Sequence, residues 1–199
     1  LKLVARVLRP TTGRVTVTGH VAPLIELGAG MNPELTGREN IYINGAMLGF
    51  TRREMARKIE GIIEFAGLQE FIDSPMRVYS TGMYARLGFA VATEVDPDIL
   101  IVDEAIAVGD EAFQKKCVDR MKSFRERGVT LFFVTHGVDS IAPLCPKAVL
   151  LESGRIIFAG PTEEVVALYR RGNEHDSFRE SQKMQVVRAT TGTPLPPDN

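Results

Sequence analysis

The chain has 199 residues, with 24 basic and 25 acidic side chains and a formal net charge of -1. This balance argues against a protein that binds nucleic acid or an anionic membrane surface through its overall charge. No apolar stretch approaches the roughly 20 residues that a membrane-spanning helix requires, so any membrane role is expected to come through a partner. Length and composition predict one α/β domain. Cys117 and Cys145 do not have the spacing of metal ligands, so we expect them to be reduced residues of the core or of a helix.

The first segment has an apolar helical pattern from Leu1 to Leu8, but no capping residue precedes it. We therefore expect a helix entered part-way and a chain that is a fragment of a longer one. Residues 9–13 predict the end of this helix, because they contain Pro and Gly. A short strand is predicted at 14–17, and an apolar stretch at 21–27 leads into a loop rich in Gly, Asn and Pro.

Two helices are predicted in the next part of the chain. Thr51 and Glu54 have the spacing of a capping box, which opens a helix that Gly67 closes. The second helix begins near Gly82 and turns apolar residues inward. The predicted buried positions are Met55, Ile59, Ile62, Ile63 and Ala66 in the first helix and Leu87, Ala90 and Val91 in the second.

An apolar run at 99–102 leads directly into Asp103 and Glu104, and a second run at 131–134 is followed by Thr135 and His136. Continuous apolar runs are typical of buried parallel strands, whose carboxyl ends form the ligand-binding edge of an open α/β sheet. An acidic pair there suits Mg²⁺ and the activation of water, and a histidine suits a phosphate. The alternative is that the acids only begin the next helix and that the histidine only forms a hydrogen bond at a strand end.

A helix at about 111–127, with Gly128 as its stop, separates the two apolar runs and gives the length of a βαβ unit. The predicted inward face of this helix carries Phe113, Cys117, Met121 and Phe124. Two further apolar runs flank the turn at 152–155 and predict a hairpin. A short helix from Thr162 to Arg170 follows. From residue 172 the sequence is polar and aperiodic, which predicts a disordered tail or a linker at 172–199.

Four motifs occur in an order that resembles the ATP-binding-cassette (ABC) ATPases. Residues 79–83, the strand that ends in Asp103 and Glu104, residues 107–110 and His136 are similar to the signature motif, the Walker B motif, the D-loop and the switch histidine. The resemblance covers about residues 1–170. It implies an α/β, P-loop NTPase-like fold with a mostly parallel sheet, a nucleotide-binding domain at 1–171 and a helical signature subdomain at about 37–95.

Residues 21–30, 35–41 and 79–87 resemble one subgroup more narrowly, the ATPase subunits that export bacterial O-antigen, capsule or teichoic acid. The aromatic start and Met83 of the signature are typical of these exporters. The resemblance implies ATP and Mg²⁺ as cofactors, a homodimer of nucleotide-binding subunits, an integral-membrane permease as partner and no nucleic acid. The implied location is the cytoplasmic face of the bacterial inner membrane.

The resemblance also implies roles for single residues. Asp103 would hold Mg²⁺ through water, Glu104 would orient or deprotonate the attacking water, and His136 would contact the γ-phosphate. Asp110 would lie at the dimer seam and help to couple the two sites. Glu26 lies near the place of the Q-loop glutamine, where a carboxylate can still reach Mg²⁺ or water.

The signature residues Ser80, Thr81, Gly82 and Met83 stand where a helix is predicted to begin, and such an end presents N–H groups and a positive dipole to anions. The resemblance implies that they cap ATP bound by the other subunit of the dimer. The alternative is an ordinary serine N-cap. The loop that starts at Gly28, with the helices after it, would form the face that docks on the membrane partner; the alternative there is a plain surface loop.

The sequence departs from the family in one respect. It contains no Gly-x-x-x-x-Gly-Lys-Ser/Thr, the loop that cradles the β- and γ-phosphates. In relatives the helix that resembles Leu1 to Leu8 follows that loop, so we expect that the first strand and the loop have been cut off. These 199 residues alone are expected to bind ATP weakly and to be inactive.

Three classes of function remain from the sequence. The first is the ATP-hydrolysing subunit of a polysaccharide exporter. The second is a soluble ABC-type clamp ATPase acting on DNA or ribosomes, against which the lack of coiled-coil insertions and of a basic stripe argues. The third is a non-catalytic ABC-like interaction domain, against which Asp103, Glu104 and His136 argue together.

Overall fold

The computed structural model describes residues 2–24, 28–103, 108–135, 144–175 and 185–189. The chain divides into two compact units. What we call the sheet unit consists of Leu1–Pro23, Pro97–Glu104 and Met121–Asn199, and what we call the helical unit consists of Leu24–Asp96 and Ala105–Arg120. The helical segment predicted at about 37–95 lies within the helical unit.

The chain contains helices and strands in an α/β order, as the sequence predicts. Within the described residues the strands are β1 (Val21–Leu24), β2 (Ile99–Asp103), β3 (Thr130–Thr135), β4 (Lys147–Glu152), β5 (Arg155–Pro161) and β6 (Gln185–Ala189). The α-helices of the same residues are α1 (Gly37–Met47), α2 (Arg52–Ala66), α3 (Thr81–Ala92), α4 (Glu111–Glu126) and α5 (Thr162–His175), and Met76–Val78 form a short 3-10 helix.

The six strands that the structure describes form one sheet in the order β1-β2-β3-β6-β4-β5. β2 and β3 are parallel, with Ile99 opposite Thr130 and Asp103 opposite Val134. The pairs β3–β6, β6–β4 and β4–β5 are antiparallel, so the sheet is mixed. The middle of β2 is buried throughout, which explains why the sequence of this strand is continuously apolar.

The predicted βαβ unit and hairpin are confirmed. α4 lies between β2 and β3 in the chain, and its four predicted inward residues are buried: Phe113, Cys117, Met121 and Phe124. β4 and β5 form the hairpin, whose turn contains Ser153 and Gly154 with positive φ angles of 48° and 78°. Both cysteines of the chain are buried.

The first residues differ from the prediction. Residues 2–6 form a turn instead of a helix, with the Val7 amide donating to the Lys2 carbonyl at 2.9 Å and Arg6 at a φ of 58°. A segment of about eight residues without a cap is too short to hold a helix by itself. Residues 14–17 belong to no described strand, and Val15 is 41% exposed, because this alternating pattern faces no buried surface.

The predicted tail contains regular structure. α5 continues to His175, and β6 pairs with Phe132–Thr135 on one side and Val149–Leu151 on the other. For these two segments the expectation of disorder is wrong. The physical reason is that β pairing depends on partners far away in sequence, which a local polar composition does not show. The other residues of 172–199 lie outside the described part.

The helical unit follows its local sequence signals closely. α2 begins at the predicted capping box, where the Thr51 side chain accepts from the Glu54 amide, and ends at Gly67 in the left-handed conformation with a φ of 66°. All five predicted apolar residues of α2, and Leu87, Ala90 and Val91 of α3, are buried in one core. α1 has a second capping box, formed by Thr36 and Glu39.

Candidate functional site

The signature residues lie at the start of α3, in the helical unit. Ser80 is the N-cap of the helix, and its Oγ accepts a hydrogen bond from the Met83 amide at 3.2 Å. Ser80 and Thr81 are exposed. The first N–H groups of a helix have no partner within the helix, so this end presents donors and a positive dipole.

Gly82 leaves space at this helix start. A Cβ atom at Gly82 would meet only the Ser80 Oγ, at 3.8 Å. No neighbouring group therefore requires a glycine here, and the absent side chain lets an anion approach the backbone closely. Donors, dipole and open space together fit a phosphate group.

Tyr79, the aromatic residue that starts the signature motif, is fixed by two contacts. The Tyr79 hydroxyl donates to the Phe71 carbonyl at 2.8 Å and lies against Gly37, where a Cβ would overlap with it. Burial, and then the charge of Asp73, raise the pKa of Tyr79, so this phenol stays neutral. The aromatic residue anchors the segment that leads to Ser80.

Asp110 is fixed by two partners within the helical unit. Its Oδ1 accepts from the Phe113 amide at 2.9 Å and caps α4, and its Oδ2 accepts from the Arg86 guanidinium at 2.6 Å. The Phe113 amide and the Arg86 charge hold the pKa of Asp110 below its usual range. Because Arg86 lies on α3, the predicted D-loop residue is tied to the helix that carries the signature motif.

Arg86 is a site residue that sequence analysis missed. Its guanidinium lies 5.6 Å from the centre of the Phe113 ring, and its Nε is buried without a hydrogen-bond partner. The only local signal was its position, six residues after Ser80 on a predicted helix. That signal could not identify Asp110 as its partner, since the two residues are 24 positions apart.

Asp103 lies in the sheet unit, as the last residue of β2, and is partly exposed. Its register partner is Val134, and β3 ends one residue later at Thr135. Two parallel strands therefore end together, as the sequence predicts. Glu26, Glu104 and His136 lie outside the described residues.

Among the residues that the structure describes, no group of three or more His, Cys, Asp or Glu side chains is arranged to hold a metal ion. Within those described residues, no helix is long and apolar enough to cross a membrane.

A groove runs along α1 on the helical unit, with a volume of about 460 Å³. It is lined mainly by apolar and aromatic side chains, with one acid and one base: Leu35, Glu39, Tyr42, Ile43, Ala46, Phe50 and Arg52. α1 also exposes Met47 to 67%. An exposed apolar surface of this kind is typical of a contact with another molecule.

Residues 1–107 match the ABC transporter family, which is more than half of the chain. The chain belongs to the ABC transporter family. Its relatives include the O-antigen export system ATP-binding protein RfbB of Klebsiella pneumoniae, with 50% identity over 171 residues that cover 86% of this chain and 70% of the relative.

Two other relatives are more distant or longer. The ABC transporter protein AbcA of Aeromonas salmonicida is 47% identical over 90% of this chain and 60% of its own length. The teichoic acids export ATP-binding protein TagH of Bacillus cereus is 42% identical over 84% of this chain, which spans only 30% of that relative.

Solved structures agree on the fold. A structure of an ATP-binding subunit of an ABC transporter has a TM-score of 0.72 at 19% identity, over 84% of this chain and 75% of that one. The dimeric structure of the ATP-binding cassette MJ0796 bound to ADP and Pi has a TM-score of 0.59 at 19% identity, over 72% and 63% of the two chains. At this level of identity the likeness concerns the fold alone.

Proposed function

We propose that this chain is part of the ATP-hydrolysing subunit that powers the export of a surface polysaccharide similar to O-antigen. The observation that carries the proposal is the 50% identity to an O-antigen export ATP-binding protein over 171 residues. That match includes most of the chain. The exposed signature motif at the start of α3 supports the same function.

ATP would supply the phosphoryl group whose transfer to water releases the energy for transport. Phosphoryl transfer requires from the protein mainly the positioning of groups and the stabilisation of charge. Asp103, at the carboxyl end of β2, would hold Mg²⁺ through water. Glu104 would orient the attacking water, and His136 would contact the γ-phosphate.

Ser80, Thr81, Gly82 and Met83 would bind the phosphates of ATP held by a second copy of the protein. The exposed N-terminal end of α3 and the open space at Gly82 support this role. Asp110 would lie at the seam between the two copies and Glu26 beside the metal. The hydrogen bond from Arg86 holds the Asp110 side chain in one position, which supports its proposed role at this seam.

The partner would be an integral-membrane permease that crosses the inner membrane, with this subunit bound to its cytoplasmic side. The groove along α1 and the loop that starts at Gly28 would receive the permease. Support comes from the exposed apolar surface of α1, including Ile43 at 40% and Met47 at 67% exposure.

The decisive experiment uses the protein that contains this chain. We expect Glu104→Gln to preserve ATP binding while lowering steady hydrolysis by at least about a hundredfold, because the group that orients water is lost. Nucleotide binding by fluorescence and phosphate release are measured on the same preparation. Glu70→Gln, an equal change at an exposed glutamate of the helical unit, should retain full hydrolysis.

Steady hydrolysis by Glu104→Gln would contradict the role of Glu104. Loss of hydrolysis in both variants would point to damage of the fold instead. A wild-type protein that neither binds nor hydrolyses ATP would contradict the proposed function itself.

A further inference from the structure

We infer that Tyr84 is a positioning residue that ties the loop at 28–35 to the signature motif, so that the loop and the motif move as one body. The tie is a property of the helical unit alone. Its consequence for transport rests on the proposed function, in which this loop faces the permease.

The hydroxyl of Tyr84 holds the beginning of the loop. It donates to the Gly28 carbonyl at 3.2 Å and is 3.4 Å from the Met31 carbonyl. Tyr84 is one turn into α3, where its own amide donates to the carbonyl of Ser80 at 2.9 Å. A single side chain therefore joins the N-cap turn of the signature helix to the loop.

The ring of Tyr84 fits against Gly28 in a way that requires glycine. Gly28 has a φ of 79°, and a Cβ built there would overlap with the Cε1 atom of Tyr84. Any other residue at position 28 would strain the backbone and push the ring away. The contact therefore requires both the Tyr84 ring and a glycine at position 28.

The end of the loop is bound to the chain just before the motif. The Met76 amide donates to the Leu35 carbonyl at 2.8 Å, and the Arg77 amide donates to the Pro33 carbonyl at 2.9 Å. These donors precede Ser80 by a few residues, while Tyr84 follows it. The loop therefore holds the motif on both sides.

Asn40 makes the loop itself rigid. This side chain is fully buried, and its Oδ1 accepts from the Asn32 amide at 2.7 Å while its Nδ2 donates to the Asn32 carbonyl at 2.9 Å. Buried polar groups that are satisfied in this manner resist displacement, because each broken bond leaves an unsatisfied group. A displacement of the loop is therefore passed to α3 instead of being absorbed by the loop.

The first test is hydrogen exchange in the full chain with Tyr84→Phe, which removes the hydroxyl and keeps the ring. We expect the amides of 28–35 to exchange about fivefold faster, as for the loss of one hydrogen bond. The matched control is Thr93→Val, at the other end of α3, where a hydroxyl also donates to two carbonyls, those of Phe89 at 2.9 Å and Ala90 at 3.3 Å. The control should leave exchange at 28–35 unchanged.

A second test changes the loop and measures the effect on the signature helix. Gly28→Ala should accelerate exchange at the amides of residues 80–84, because the new Cβ displaces the Tyr84 ring. Unchanged exchange at 28–35 in Tyr84→Phe, or an equal increase in Thr93→Val, would overturn the inference. So would unchanged exchange at 80–84 in Gly28→Ala.

The functional readout is the stimulation of ATP hydrolysis by the permease in the purified complex. Tyr84→Phe should reduce this stimulation several-fold, with the KM for ATP and the unstimulated rate unchanged, and Thr93→Val should not reduce it. Full stimulation despite faster exchange at 28–35 would overturn the role in coupling. If the wild-type complex hydrolyses no ATP, the proposed function fails, and the exchange experiments still decide whether the tie exists.

Discussion

The two units of the chain are specified by different kinds of information. In the helical unit, the ends of helices carry their own signals: capping boxes at Thr36 and Thr51, an N-cap at Ser80 and a left-handed Gly67. In the sheet unit, strand positions depend on pairing, as when β6 joins β3 and β4. Helix ends are encoded within about four residues, whereas a strand is decided by partners distant in sequence.

Four carboxyl groups of the helical unit have pKa values below their ordinary range: Glu39, Glu54, Asp73 and Asp110. Each caps a helix or pairs with an arginine. These four acids of the helical unit therefore contribute to the stability of their local structure.

The largest expected effect is the loss of a buried aromatic residue from either unit. Phe89→Ala in α3 and Phe133→Ala in β3 should each lower the free energy of unfolding by about 3–5 kcal/mol, because both rings are almost fully buried. Phe71→Ala is the control, since this ring is 46% exposed. Urea denaturation followed by circular dichroism measures the three values. A loss for Phe71→Ala as large as for Phe89→Ala would contradict the assigned cores.

Replacement by alanine should change stability in opposite directions at two glycines of the helical unit, and both changes should be smaller than the loss of a buried ring. Gly61 lies inside α2 and Gly67 ends it at a φ of 66°, and a Cβ at either would meet nothing within 4 Å. We expect Gly61→Ala to stabilise the chain by about 0.5–1 kcal/mol, because alanine favours the helix. Gly67→Ala should destabilise it by about 1 kcal/mol, because the left-handed conformation is strained for alanine. Thermal denaturation would contradict the local encoding of this helix end if both changes had the same sign.

The smallest expected effect is a loss of helix stability when the pH is lowered. In the folded chain, the pKa values of Glu39 and Glu54 lie below their ordinary value of 4.5, so the stability that their ionised forms contribute is present above that pH. It is lost as the pH falls through the lowered folded-state values. Protection factors of the amides in α1 and α2 should therefore decrease below about pH 4.5 more than those in β2 and β3.

Glu54→Gln sharpens this test, because the amide oxygen of glutamine can still accept from Thr51 while the charge is gone. The decrease in protection in α2 should then depend less on pH than in the wild type. An unchanged pH dependence in this variant, or an equal decrease in the strands, would show that the capping carboxylates are not responsible.

Much of the fold could be predicted because several patterns are strong and local. The buried face of α2, the parallel pair β2 and β3, and the hairpin of β4 and β5 were predicted and are confirmed. The helix at the start of the chain and the strand at 14–17 were wrong, because short apolar patterns do not show whether a buried surface exists for them to face. β6 was missed for the complementary reason, since its partners are strands about 35 to 55 residues earlier in the chain.

In the candidate site, too, the residues marked by a local pattern could be predicted, and those that act through distant contacts could not. Ser80 and Gly82 were recognised from the motif and the expected helix start, and the structure places them at that start. Arg86, Tyr84 and Asn40 were not recognised, because each acts through a contact that the sequence does not record. The assignments of Glu26, Glu104 and His136 stay predictions, as do the roles proposed for Asp103 and Asp110.

The sequence by itself determined the family, the order of the motifs and the ends of most helices, because these depend on residue identity and on interactions over a few positions. Only the tertiary structure decided that Arg86 holds Asp110 and that the loop at 28–35 holds the signature motif. Tyr84 and Gly28 are 56 residues apart in the chain. Contacts at such a distance form only when the core brings two elements together, and no local pattern of residues can specify them in advance.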